Sequence, residues 1–294
     1  MKSFLNQRFM AFCGALLCGL LTACSSPTPP PVVVQKPVRV ALALGGGASK
    51  GFAHIGVIKV LQENNIPVHI VTGTSAGAVV GSLYASGMSV DRLELESELL
   101  DKADVADLTL SGKGFIIGQK LQDYINRKVK NVEIQEFPLR FAAVATDFEN
   151  GKAVAFNYGN TGQAVRASAS IPNVFQPVEI NGRRYVDGGL SAPVPVTAAR
   201  NLGATVVIAV DISARPEKNI DSGFLSFFQQ SLNIMSMTAL ESELAKADVV
   251  IRPKVQALGA VGGFDRRAQA IAAGEAATRE ALPHIRAAVA AAAK

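Results

Sequence analysis

Between two apolar runs, Ile66-Pro67-Val68-His69-Ile70-Val71-Thr72 and Ala78-Val79-Val80-Gly81-Ser82-Leu83-Tyr84, the chain places Gly73-Thr74-Ser75-Ala76-Gly77. The first run reads as a strand and the second as a helix, so five residues must turn one into the other. Flanking glycines allow that turn without a Cβ clash. A serine at its apex projects its hydroxyl outward, with the positive end of the following helix behind it, which is the geometry of a nucleophile elbow. The same residues also suit a plain strand-to-helix packing joint, so the chemistry has to be supported from elsewhere in the chain.

The chain has 294 residues, and its first 23 read as a processing segment. Lys2 and Arg8 form a positive n-region, and Phe9 to Leu20 form an apolar stretch that is short for a membrane span. Leu21-Thr22-Ala23-Cys24 resembles the lipobox of bacterial lipoproteins, which makes Cys24 the expected lipidated N-terminus of the mature chain. An ordinary signal peptide or an uncleaved anchor is the alternative. Ser25 after the cysteine, in place of aspartate, resembles the context that sorts lipoproteins to the outer membrane, so the expected location is the bacterial cell envelope, facing the periplasm. Residues 24–37 carry Pro27, Pro29, Pro30, Pro31 and Pro37 and read as an extended spacer, leaving 38–294 as one catalytic-size domain.

Cys13 and Cys18 leave with the signal, so no disulfide is available and the fold must rest on an apolar core, which a 49% hydrophobic composition supplies. Loss of Lys2 and Arg8 lowers the formal charge from +5 to +3. The remaining basic residues are scattered, which argues against a nucleic-acid partner.

Val38 to Leu44 has a buried-strand pattern and Phe52 to Asn64 has apolar residues at helical spacing. Further strands are expected at 139–146, 152–157, 183–186, 205–210 and 249–251, and helices near 89–103, 118–129, 193–202, 223–246 and 264–293. This alternation predicts an α/β fold with a mostly parallel sheet covered on both faces.

Acyl transfer through a serine needs a base and donors for an oxyanion. Gly45-Gly46-Gly47-Ala48-Ser49-Lys50-Gly51, between a strand and a helix, can supply backbone N–H donors. It fails as a P-loop because Gly51 and Phe52 follow Lys50, and as a dinucleotide fingerprint because Lys50 stands where glycine is needed. A tight turn without a ligand is its simpler reading. His54, His69 and His284 fit structural positions better than a triad, since His54 and His69 precede Ser75, against the order an ordinary esterase requires, and His284 lies on a partly polar C-terminal helical stretch beside Pro283. Asp187-Gly188-Gly189 offers another base, although an ordinary aspartate, with a pKa of about 3.9, is a weak one unless desolvation raises it.

The three motifs in this order resemble the oxyanion loop, nucleophile elbow and aspartate motif of patatin-like phospholipases. So do Phe52-Ala53-His54-Ile55-Gly56-Val57, Ala145-Thr146-Asp147 and Arg166-Ala167-Ser168-Ala169-Ser170-Ile171-Pro172 with Phe175 and Pro177. The resemblance covers residues 38 to 253. It implies a three-layer fold with a mostly parallel central sheet, a Ser75–Asp187 dyad, and oxyanion donors at Gly46, Gly47, Ala48 and Ala76. It also implies structural roles for Gly45, Gly51, Gly73, Gly77, Gly188 and Gly189, a membrane-lipid substrate, and no metal or organic cofactor. Lys50 matches the basic position of the first motif, with lipid phosphate contact and loop ordering both open. Arg166 and Ser168 are expected to shape the surroundings. Residues 222–237 and the glycine-punctuated loop 112–118 are candidates to admit an acyl chain, the helix doubling as core and the loop being the better candidate for motion. Protein partners are left open. Two rivals remain at this point: an acyltransferase or small-ester esterase on the same dyad, and a lipoprotein that uses the fold only to bind lipid or protein.

Overall fold

The computed structural model describes residues 37–105, 107–111, 114–216, 218, 223–258 and 263–294. The signal segment, Cys24 and the spacer up to residue 36 lie outside the described residues.

Strand β1 (Val40–Leu44) lies between β2 (Ile70–Thr74) and β9 (Val206–Val210), with β5 (Arg140–Asp147) beyond β2 and β10 (Val249–Ile251) beyond β9. These four pairings are parallel. Past β5 the sheet turns antiparallel, with β6 (Ala153–Phe156) and β8 (Arg183–Asp187) on β5, and β7 (Val178–Ile180) on β8. A separate hairpin joins β3 (Leu108–Ser111) to β4 (Gly114–Ile116).

Alternation along the strands builds the layers. Val40, Leu42 and Leu44 of β1 join a cluster with Ile55 and Ile58 of α1 (Ala53–Glu63), Leu83 of α2 (Ala76–Ala85) and Ile285 of α9 (Arg267–Ala292). Ala41 and Ala43 face the other way, toward Val196 and Ala199 of α7 (Val196–Asn201) and Leu240 of α8 (Phe224–Leu244). Strand β9 repeats the division, with Val206, Ile208 and Val210 on the first face and Val207 and Ala209 on the second. Strands buried on both faces read as unbroken apolar runs, which is why the sequence announces them. Helices α3 (Val90–Leu99), α4 (Lys102–Val105), α5 (Gln119–Lys128) and α6 (Thr161–Ser168) complete the described α-helices. Among the described residues, no helix is long and apolar enough to cross a membrane.

Several boundaries differ from expectation. The strand expected from Ile66 begins at Ile70, because the Ile66 N–H donates to the Leu61 carbonyl (2.9 Å) and closes α1, and Pro67 has no N–H to give a sheet. Gly73 and Thr74 consequently belong to the strand. The helix expected over 89–103 is divided into α3 and α4, with Leu100 extended (ψ 120°). The loop expected at 112–118 is largely β4 and its exit: the Ile116 N–H donates to Val174 O (3.0 Å), and Gln176 N–H donates to Ile116 O (2.9 Å). Residues 112 and 113, and residue 222 at the start of the other candidate stretch, lie outside the described residues.

Candidate active site

Ser75 sits between the end of β2 and the first residue of α2 with φ 54° and ψ −119°. A non-glycine residue holds such a conformation only where its surroundings enforce it. Its N–H donates to Ser168 Oγ (2.9 Å), and Ser168 Oγ donates in turn to the Val144 carbonyl of β5 (2.6 Å). On the other side, the Ser75 carbonyl accepts from the Ala78 and Val79 N–H groups at 2.9 and 3.1 Å. Close backbone approach locks the turn: a Cβ on Gly73 would lie 2.4 Å from Gly77 O, and one on Gly77 would lie 2.1 Å from Leu44 O. The expected strand–turn–helix is therefore present, and both glycines are required by space.

Asp187 ends β8 and is 7% exposed. Its Oδ1 accepts from the Gly189 N–H (2.7 Å), and its carboxyl lines the same cleft as the Ser75 side chain. Burial pushes the carboxyl up from its ordinary 3.8 to about 6, against the Gly189 N–H and the nearby Ser75 hydroxyl, which both favour the charged form. The main chain is equally fixed: Asp187 N–H donates to Ser170 O (2.8 Å), and Thr146 Oγ1 donates to Asp187 O (2.9 Å). Gly188 lies where a Cβ would come within 2.1 Å of Val144 O. Asp147, next to Thr146, instead caps the β5–β6 turn through Glu149 and Asn150 N–H.

The glycine-rich loop crosses in front of the elbow. Gly45 N–H donates to Val210 O and Gly46 N–H donates to Pro193 O, both at 3.0 Å. The expectation that Gly46 offers an oxyanion donor is thereby corrected, since its N–H is already engaged by a carbonyl from the loop after Asp187. Among the described residues no acceptor takes the N–H of Gly47, Ala48 or Ala76, and Ala76 is the first residue of α2, where a free N–H is normal. Ala48 also adopts a positive φ of 52°. A Cβ on Gly51 would lie 2.6 Å from the Ala76 Cβ, so the loop and the elbow are in direct contact.

Gly46, Gly47, Ala48, Lys50, Ser75, Asp187 and Gly189 line one cleft of ≈ 130 Å³. Lys50 is 3% exposed within it. No histidine lines the cleft. His54 is buried with Nε2 2.8 Å from Gly45 O; His69 accepts the Val40 N–H at Nδ1 (3.1 Å) at the opposite end of the strands; His284 is exposed on α9. Arg166 does not reach the cleft either. Its guanidinium donates to Gln119 Oε1, Gln122 Oε1 and Ile117 O at 3.0, 3.2 and 2.8 Å, tying α6 to α5 and to the exit of β4.

Of the remaining walls, the helix expected to admit an acyl chain, residues 222–237, does reach the cleft, whereas the contributions of Leu190, Pro193, Ser213 and Ala214 were not foreseen. Ile171, Pro172, Leu190 and Pro193 contribute from loops, and Ser213 and Ala214 come from the turn after β9. That turn is shaped by buried Asp211, which accepts from Ser213 N–H (3.1 Å) and pairs with Arg215 (2.5 Å). Helix α8 adds Leu232, Asn233 and Ser236 to the cleft, while Phe227, Ile234 and Met235 on its other side are exposed. Within 222–237 the expected core role therefore holds for Met237, which packs against the cluster on the second sheet face, but not for these three. Thr72 and Thr74, read as ordinary strand residues, donate their hydroxyls to Pro195 O (2.9 Å) and Ala192 O (2.8 Å) and bind the loop after Asp187 to the serine strand.

Comparison with known proteins agrees with this arrangement. A family model described as patatin-like phospholipase matches residues 42–200. An uncharacterized NTE family protein of Mycobacterium tuberculosis (strain ATCC 25618 / H37Rv) is 37% identical over 177 residues, which is 60% of this chain and 49% of that one. Patatin-like phospholipase domain-containing protein 6 of Homo sapiens is 31% identical over 191 residues, covering 62% and 14%. Lysophospholipase NTE1 of Scheffersomyces stipitis is 30% identical over 185 residues, covering 61% and 12%. The chain thus spans about half the length of the mycobacterial relative and a small part of the other two. The crystal structure of VipD from Legionella pneumophila shares the fold, with a TM-score of 0.52 at 15% identity over 85% of this chain and 67% of that one. Because the matched span holds the glycine-rich loop, the serine elbow and the aspartate together, this chain belongs to the patatin-like phospholipase family, whose members are serine acyl hydrolases.

Proposed function

We propose that this chain is a serine acyl hydrolase that cleaves carboxylic ester bonds of phospholipids or lysophospholipids through a Ser75–Asp187 dyad. The observation that carries the reading is that Ser75, held in its strained turn, and the buried carboxylate of Asp187 line one cleft, with the carboxyl pKa pushed up to about 6 by burial. Such a carboxylate is ionised at neutral pH yet more basic than an ordinary aspartate, which suits a general base. Ser75 Oγ attacks the ester carbonyl carbon while its proton passes to Asp187. The oxyanion forms beside the N–H groups of Gly47, Ala48 and Ala76. Collapse breaks the bond to the alcohol, which leaves with the proton from Asp187. Water then attacks the acyl-serine carbonyl, giving a proton to Asp187; collapse breaks the bond to Ser75 Oγ, which takes that proton back from Asp187 as the fatty acid is released.

A cleft of ≈ 130 Å³ is well below the ~300 Å³ at which pockets begin to enclose drug-sized ligands. It holds the reacting ester, and the acyl chain runs out along α8 past Leu232. The chain acts at the bacterial envelope, anchored through Cys24 ahead of the proline-rich segment 25–37. The human and yeast relatives, named as a phospholipase-domain protein and a lysophospholipase, support a lipid substrate.

The test is incubation of the purified protein with phosphatidylcholine, lysophosphatidylcholine and a short-chain p-nitrophenyl ester, with products identified by mass. Free fatty acid should appear from at least one lipid and vanish with Ser75→Ala. Cleavage of the small ester alone would move the reading to an esterase, and lipid cleavage indifferent to Ser75→Ala would remove the dyad. For the anchor, Cys24→Ala should shift the protein from the membrane to the soluble fraction; retention through salt and carbonate washes contradicts it.

A further inference from the structure

We propose that His54 is a positioning residue for this reaction, its imidazole fixing the peptide plane from which the oxyanion donors extend. The inference rests on the acyl hydrolase reading above. His54 is 0% exposed in the first turn of α1, directly after the 3-10 segment Ala48–Phe52. Its Nε2 lies 2.8 Å from Gly45 O. A carbonyl oxygen only accepts, so Nε2 carries the proton, and Nδ1 is buried without a hydrogen-bond partner among the described residues.

The position of that bond is what separates His54 from an ordinary satisfied core histidine. Gly45 C=O and Gly46 N–H belong to one peptide group. His54 holds its oxygen end, and Pro193 O holds its N–H end at 3.0 Å. Gly45 N–H is in turn fixed on Val210 O (3.0 Å). Every backbone group up to the Gly46 N–H is therefore committed, and the next two N–H groups, of Gly47 and Ala48, are the ones left for the cleft. Pro193 belongs to the segment after Asp187 that Thr74 also holds through Ala192 O. The imidazole thus anchors one end of a chain of bonds joining the donor loop to both members of the dyad. Burial also draws the His54 pKa down to about 4, so the ring is neutral at neutral pH and adds no charge beside the oxyanion.

Without the ring donor, Gly45 O is buried and unsatisfied, and the loop relaxes to find another partner. A shift of about 1 Å in positioned groups costs on the order of 100-fold in rate. In single-turnover acylation, His54→Leu should lower the rate about 10- to 100-fold with KM within about twofold of wild type, because oxyanion contacts are made in the transition state rather than with bound substrate. His54→Gln keeps an N–H donor at similar reach and should recover most of the rate, whereas His54→Asn is too short and should not. Folding of each variant is checked by circular dichroism and urea unfolding. A folded His54→Leu that acylates like wild type overturns the proposal. If His54→Leu does not fold, the comparison of Gln with Asn decides it, equal rates in the two being the contrary result. Independently of activity, the 15N spectrum of the wild-type protein should show His54 as the neutral Nε2–H tautomer with a slowly exchanging proton; an Nδ1–H tautomer overturns the geometry. Wild-type acylation that is absent in Ser75→Ala serves as the control, so failure of the hydrolase reading is seen separately from failure of the His54 role.

Discussion

Replacing Asp187 by asparagine should make the protein more stable at pH 8 while removing its base. The carboxyl is 7% exposed, and burial raises its pKa from 3.8 to about 6. That rise of about two units, at 1.36 kcal/mol per unit, corresponds to about 3 kcal/mol. The folded state binds the Asp187 proton more tightly than the unfolded state does. The associated stabilisation is fully present below pH 3.8 and is lost as pH rises through about 6, so the ionised native protein at pH 8 carries the full cost. Asparagine keeps an oxygen for the Gly189 N–H and carries no charge at any pH. Its stability relative to wild type should therefore climb by about 3 kcal/mol between pH 3.5 and pH 8. Urea unfolding of both proteins across that range, with matched m-values, measures the difference. His54 acts with the opposite sign: its pKa, lowered from 6.5 to about 4, weakens the fold as pH falls through that window. It does so equally in both proteins and cancels on subtraction. A stability difference that stays flat with pH, or that favours wild type more at pH 8, refutes the account of Asp187 as a strained, desolvated base.

Three further outcomes follow from the same geometry. The acylation rate should rise about tenfold per pH unit below pH 6 and level off above it, as base catalysis by a carboxylate with a pKa of about 6 requires; a profile still climbing at pH 8 points to a different base. Ser168→Ala leaves Ser75 N–H and Val144 O without their shared partner, so urea unfolding should show a loss of about 1–3 kcal/mol together with slower acylation; no change in either contradicts its role in holding the elbow. Gly77→Ala places a Cβ 2.1 Å from Leu44 O and should cost about 3 kcal/mol or more, and a thermal midpoint equal to that of wild type rules the close approach out.

How much of this was legible in the sequence depended on how local the determinants were. Strands β1, β5, β9 and β10 stood out because burial on both faces leaves continuous apolar runs. Ser75 and Asp187 stood out because each carries its own glycines, needed for close contacts at Leu44 O and Val144 O. Short elements were lost: β7 has three residues, and α6 presents only small apolar residues, Ala164, Val165 and Ala167, behind its Asn160 cap. The fate of the Gly46 N–H could not be read locally at all, since its acceptor is Pro193, far along the chain. The same holds for the threonine hydroxyls of β2 and for α8, whose apolar residues divide between core, cleft and surface in a way that composition alone does not assign.

The central claim is that Asp187, and no histidine, takes the Ser75 proton. The most direct measurement is a single-turnover burst of acylation on Ser75, followed by intact mass, for wild type, Asp187→Asn, His69→Gln and His284→Gln, each verified as folded by circular dichroism. The account predicts that Asp187→Asn loses the burst by at least about 100-fold while the two histidine variants keep it. A burst retained in Asp187→Asn and lost in either histidine variant contradicts the dyad.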